Sequence, residues 1–132
     1  MPRRPPSVIN GYRDLLVWQR AMDLVIEAYG LTKRFPSEEK YGLAQQLRRA
    51  GVSVPSNIAE GHGRKHLGDY LRHVSIARGS LMEMETQLLI AGRMGYISNA
   101  EQEHVIERTS EVGRMLSGLL RALTKRYRSA ST

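Results

Sequence analysis

Two rows of apolar residues, each stepping alternately by three and four, constrain this chain more than any other feature. Val74, Ala77, Leu81, Met84, Leu88 and Ala91 form the first; Val105, Thr109, Val112, Leu116, Leu119 and Leu123 form the second. That alternation holds a row on one stripe of a helix and is the spacing of a bundle seam. It predicts a helix over about Leu67–Met94 and another beginning at the capping box Ser98/Glu101 and ending near Tyr127. Each must bury its stripe against other helices.

The upstream half supplies two partners. Leu15, Trp18, Met22, Val25 and Tyr29, with Ala21 and Ala28 beside them, predict a first helix capped by Asp14 and stopped by Phe35-Pro36. Ser37 as cap, with Glu38 and Glu39 in the first turn, predicts a second helix running to about Glu60 on the row Leu43, Leu47, Val54 and Ile58. Gly51 and Pro55 lie inside it, so a kink is expected: proline removes an amide donor and crowds the carbonyl four residues back. Ser53, Asn57 and Glu60 place polar groups beside that apolar row. Arg49, Arg78, Ser80 or a neighbouring subunit are the available partners, and a structural network of Arg49, Ser53, Asn57 and Glu60 that fixes register is the expectation. The glycine-flanked turn Gly61-His62-Gly63-Arg64-Lys65-His66 leads to the third helix. Nothing reads as a strand. The expected fold is an all-α, up-down-up-down antiparallel four-helix bundle with a kinked second helix. Residues 12–128 form its single domain, preceded by a flexible basic arm (1–11) and followed by a disordered tail (129–132).

A formal net charge of +7, carried mostly by arginine, makes polyanions the first partner to consider. In the predicted topology the start of helix one, the turn between helices two and three and the end of helix four share a pole. That pole gathers Arg3, Arg4, Arg13, Arg64, Lys65, Lys125, Arg126 and Arg128, and no acid follows Glu111. These are the candidate nucleic-acid contacts. The opposing explanation is that cations are favourable at helix C-termini and common in tails.

Catalytic and metal chemistry find no support. Glu101 and His104 have the E-x-x-H spacing of di-iron bundles, but a second such pair is missing and Glu101 belongs to the capping box. No cysteine is present, so thiolate metal sites and disulfides are excluded, and a cytoplasmic location is expected. His62 and His66 stand among cations that oppose a metal dication. No nucleophile elbow or phosphate loop occurs, and no apolar run approaches the roughly 18 residues of a membrane span. The expectation is a protein without catalysis, cofactor, metal or membrane partner.

Several segments, in order, carry a resemblance: Leu16-Val17-Trp18-Gln19-Arg20-Ala21, Phe35-Pro36-Ser37-Glu38-Glu39-Lys40-Tyr41-Gly42-Leu43, Gln46-Leu47-Arg48-Arg49-Ala50, Val52-Ser53-Val54-Pro55-Ser56-Asn57-Ile58-Ala59-Glu60-Gly61 and Gly79-Ser80-Leu81-Met82-Glu83-Met84-Glu85-Thr86. Together they resemble the four-helix-bundle family named for proteins encoded in intervening sequences of 23S ribosomal RNA genes. The likeness covers about residues 12 to 97 and departs at His66-Leu67-Gly68, where the family usually offers a Ser or Thr cap. It implies a bacterial bundle assembling as a ring-shaped homopentamer. It also implies kinship with the accessory protein of diversity-generating retroelements, which looks like a basic barrel that binds nucleic acid and a reverse transcriptase. Two functions follow as expectations: nucleic-acid binding, to RNA or structured duplex, through the basic pole, or a scaffold recruiting a protein partner, with charge serving solubility.

Overall fold

The computed structural model describes residues 9–131, side chains to Ala130. Four α-helices fill it: α1 (Leu16–Thr32), α2 (Leu43–His62), α3 (Leu67–Arg93) and α4 (Asn99–Ser131), with short 3₁₀ turns at Tyr12–Asp14 and Ser37–Glu39. No strand occurs among the described residues. α1 packs on α2, α2 on α3, α3 on α4 and α4 back on α1, closing a four-helix bundle. Contacts run in opposite numerical order along each pair. Ser53 meets Ser80 while Asn57 meets His73; Glu85 meets Thr109 while Gly68 lies beside Tyr127; Arg20 meets Glu111 while Glu27 meets His104. Neighbouring helices therefore point in opposite directions.

Both seams predicted for the second half line the core. All six residues of the α3 row are buried, as are Val105, Thr109, Val112, Leu116 and Leu123 on α4, with Leu119 partly buried. Thr109 is tolerated there because its hydroxyl donates to the Ile106 carbonyl one turn back. The capping box forms as the spacing required: the Glu101 amide donates to Ser98 Oγ (3.1 Å) and the Ser98 amide to Glu101 Oε1 (2.8 Å).

The first half departs from expectation in three places. α1 buries Ala21, Val25 and Ala28 as expected and packs Leu15 and Trp18 partly buried against the core, but its stripe is shifted to take in Val17, Leu24 and Leu31, leaving Met22 and Tyr29 each 37% exposed and Ile26 69% exposed. Two alanines let α1 approach closely while the leucines fill the space, an arrangement that Met22 and Tyr29 would obstruct. Asp14 does not cap α1; its carboxylate accepts from the Asn10 amide, and the Leu15 cap position makes no side-chain bond. Nor does Ser37 start α2. Ser37–Glu39 is a separate turn, and Glu39 reaches forward to accept from the Leu43 amide (3.2 Å), where α2 begins. At the other end α4 stays helical to Ser131, so residues 129–131 continue the helix where a tail was expected. α2 itself is helical through both Gly51 and Pro55, which are buried. Gly95 terminates α3 with φ +78°, a left-handed conformation suited to glycine.

Candidate nucleic-acid interface

The polar residues Ser53 and Asn57 of α2, half-buried, join a chain whose hub is the buried His73 on α3. Asn57 Nδ2 donates to the Ser53 carbonyl (2.9 Å) and Ser53 Oγ (3.0 Å), which turns its Oδ1 toward His73. His73 Nδ1 therefore donates to Asn57 Oδ1 at 3.0 Å. Ser53 and Ser80 hydroxyls share a bond of 2.8 Å, and Arg72 and Glu60 approach His73 Nε2 at 3.5 and 3.9 Å. Ser53 and Asn57 are thus joined, with Glu60 at the rim, but Arg49 is not part of the chain. Its side chain is exposed and makes no hydrogen bond or ion pair among the described residues. Arg78 is likewise absent; the network's further members are Ser80 and His73.

The predicted basic pole is partly assembled. Arg3 and Arg4 lie outside the described residues. Arg13 is exposed on the first 3₁₀ turn, its guanidinium 5.8 Å from the Tyr12 ring centre. Lys65, Lys125, Arg126 and Arg128 are exposed, whereas Arg64 is held by Glu60 at 2.6 Å. α4 does reach the α2–α3 turn. Gly68 abuts Tyr127, and Arg126 partly offsets the rise that burial imposes on the pKa of the Tyr70 hydroxyl. The opposite pole is neutralised locally: Arg34 pairs with Glu101, and the Tyr96 hydroxyl donates to Glu39 (2.8 Å), a bond that raises the tyrosine's pKa.

A second basic surface was not anticipated. An open groove between α3 and α4, formed of two adjoining depressions of about 530 and 470 Å³, is lined by Arg78, Arg114, Arg121, Lys125 and Arg128 with the hydroxyls of Ser117 and Thr124. The α4 cations recur at intervals of seven, four and three residues, so they share one stripe. From Arg114 to Arg128 that stripe spans about 21 Å at the rise of an α-helix. None of these five cations has an ion pair among the described residues. Arg20, Arg34, Arg64 and Arg108, by contrast, are paired to Glu111, Glu101, Glu60 and Glu27. Glu85 is the groove's single acid, at the end far from Arg128, and it accepts from Thr109. The sequence signal was available: Arg114, Arg121, Lys125 and Arg128 repeat opposite the seam, after the last acid. Lys125 and Arg128 belong to both groove and pole, so the two surfaces are continuous.

The E-x-x-H pair is divided between two jobs. Glu101 caps α4, while His104 Nε2 lies 3.2 Å from Glu27 Oε1. Among the described residues no group of three or more potential ligands could hold a metal ion, and no helix is long and apolar enough to cross a membrane.

Comparison with solved structures finds a crystal structure from Bacteroides thetaiotaomicron, a protein of unknown function from the S23 ribosomal protein family. It is 21% identical, covers 80% of this chain and 98% of its own, and superposes with a TM-score of 0.75. That likeness shows a shared fold. No curated protein matches the chain. The profile of the 23S rRNA-intervening sequence protein family matches residues 13–118, which take in α1 to α3 and most of α4. The chain therefore belongs to the 23S rRNA-intervening sequence protein family.

Proposed function

We propose that this protein is a non-enzymatic, homo-oligomeric bundle, a pentamer by family resemblance, that binds nucleic acid through the α3–α4 groove and the adjoining basic pole. One observation carries the reading: five cations line one open groove without ion pairs among the described residues, whereas Arg20, Arg34, Arg64 and Arg108 outside it are matched to carboxylates. Guanidinium groups left unneutralised along about 21 Å suit a run of phosphates. Aromatic side chains are absent from the groove lining, so contact there is to the backbone and favours shape over base sequence. Large exposed apolar side chains away from the groove, Met94 just past the end of α3 and Ile26 on α1, supply surface for contact between subunits.

The test is a salt titration of RNA and duplex binding. Each phosphate contact contributes about −0.7 to the log–log slope for a single strand and about −0.9 for a B-form duplex. Replacing Arg121, Lys125 and Arg128 together by alanine should flatten the slope by about 2 for a single strand and weaken all sequences alike. Retention of nucleic acid that is insensitive to salt and to these substitutions would sink the proposal. Under the scaffold reading, a specific protein partner would survive both nuclease treatment and the same substitutions.

A further inference from the structure

On the opposite side of the bundle, α1, α2 and the segment between them frame a groove of about 680 Å³. Its wall combines two tyrosines, Tyr29 and Tyr41, with three cations, Lys40, Arg48 and Arg49, and the amide of Gln45; it contains no carboxylate. Aromatic rings, absent from the lining of the α3–α4 groove, are present here. We propose that this groove binds a nucleoside phosphate, either free or as an unpaired residue of a strand, with the base against the tyrosines and the phosphate on Arg49.

Geometry separates the residues by role. Arg48 is committed to the wall: its Nε donates to Thr32 Oγ1 at 2.9 Å, and its guanidinium lies 4.9 Å from the Tyr29 ring centre. That stack fixes a flat, positively charged surface of the kind on which bases pile. Tyr41 is 80% exposed; Lys40 Nζ lies 5.5 Å from its ring centre, and so high an exposure leaves ring surface free for a base. Arg49 and Gln45 make no bond among the described residues, which leaves a guanidinium for phosphate and an amide for a base edge. The nearby carboxylate of Glu39 is turned away, accepting from the Leu43 amide and the Tyr96 hydroxyl. The result is a site that accepts negative charge attached to a flat ring and offers no acceptor carboxylate to a cationic ligand. Its volume lies inside the range of about 300–1,000 Å³ usual for small-ligand pockets.

None of the α4 cations lines this groove, so base binding here can fail or hold independently of backbone binding on the other face. Two arms test it with the full-length protein. In the first, saturation-transfer NMR with adenosine 5′-monophosphate should place the base protons against the protein, and Tyr41→Ala with Arg49→Ala should abolish the signal. In the second, a twelve-residue oligouridine should bind about ten- to a hundredfold more tightly than an abasic strand of equal length, the increment expected of base–aromatic stacking. The same double variant should bring that ratio close to one, whereas alanine at Arg121, Lys125 and Arg128 should weaken both strands and keep it. A response in the first arm alone identifies a free nucleotide as ligand; a response in the second alone identifies a residue within a strand. The proposal is overturned if neither arm depends on the base. It is equally overturned if the double variant lowers the assembled mass in light scattering while any base preference persists, since the groove would then be a contact between copies of the chain. Both substituted side chains are exposed, and circular dichroism checks that the variant keeps its helices.

Discussion

Replacing Gly61 and Gly79 separately by alanine should shift stability in opposite directions, although both glycines are helical. An added methyl at Gly61 would sit 2.7 Å from His73 Cβ, 3.1 Å from Tyr70 Cδ1 and 3.3 Å from the Tyr70 carbonyl oxygen. Carbon atoms in ordinary contact lie about 3.5–4.0 Å apart, so α2 and α3 must separate by close to 1 Å. His73 Cβ is tied to the backbone, so no rotamer change relieves the clash. Overpacking of this sort costs about 1–3 kcal/mol. Displacing the His73–Asn57 bond adds about 1 kcal/mol, and the better helix propensity of alanine returns about 1 kcal/mol. The net expectation is destabilisation by about 1–3 kcal/mol. At Gly79 nothing lies within 4 Å of the added methyl, so propensity alone operates and alanine should stabilise by up to about 1 kcal/mol. Denaturant unfolding at one fixed protein concentration measures both, which keeps any concentration dependence of stability out of the comparison. A Gly61→Ala protein as stable as the parent would refute the close approach of α2 and α3 on which the polar chain depends.

Three further outcomes are expected. Asn57→Ala leaves the His73 Nδ1–H without its acceptor and removes a donor from Ser53, which should destabilise the fold by about 1–3 kcal/mol in the same assay. Glu101, held by Arg34 and by the Ser98 amide, has its pKa lowered from 4.5 to about 2; Arg34→Ala should return it toward the ordinary value in an NMR pH titration. Because the folded-state pKa is depressed, Glu101 stabilises the fold above about pH 4.5, and that contribution fades as pH falls toward 2. Tyr96→Phe removes the hydroxyl bonded to Glu39 and should lower stability by about 1 kcal/mol, read from the same denaturation curves.

How far the sequence could be read depended on whether a feature was local. The α3 and α4 seams were legible because one apolar stripe dominates each helix, and the Ser98 cap because both its partners lie within four residues. α1 was legible only in part because it is apolar around more than one stripe: Ala21, Val25 and Ala28 are buried as the spacing indicates, but close packing takes in Val17, Leu24 and Leu31 in place of the larger Met22 and Tyr29. The start of α2 was hidden for a related reason: Glu39 caps from four residues ahead, across Gly42, a pattern that Ser37 with two following acids imitates. His73 could not be identified as the hub, since its partner Asn57 is brought to it only when α2 folds against α3.

The α4 stripe also bears on the two explanations of the basic charge. If the cations served only the helix dipole, they would cluster in the last turn, because the effect falls off within that turn. Arg128 alone is a basic residue of the last turn. Arg114 and Arg121 lie ten or more residues before Ser131, which is about three to five turns, where the dipole offers them little. Solubility would be served as well by cations spread around the helix or paired across to neighbours, as Arg108 is with Glu27. Instead Arg114, Arg121, Lys125 and Arg128 share one groove with Arg78 from α3, and no acid follows Glu111 to neutralise them. A stripe that is unpaired, aligned and extended over several turns is the arrangement an elongated polyanion can use along its whole length, and neither the dipole nor solubility calls for it.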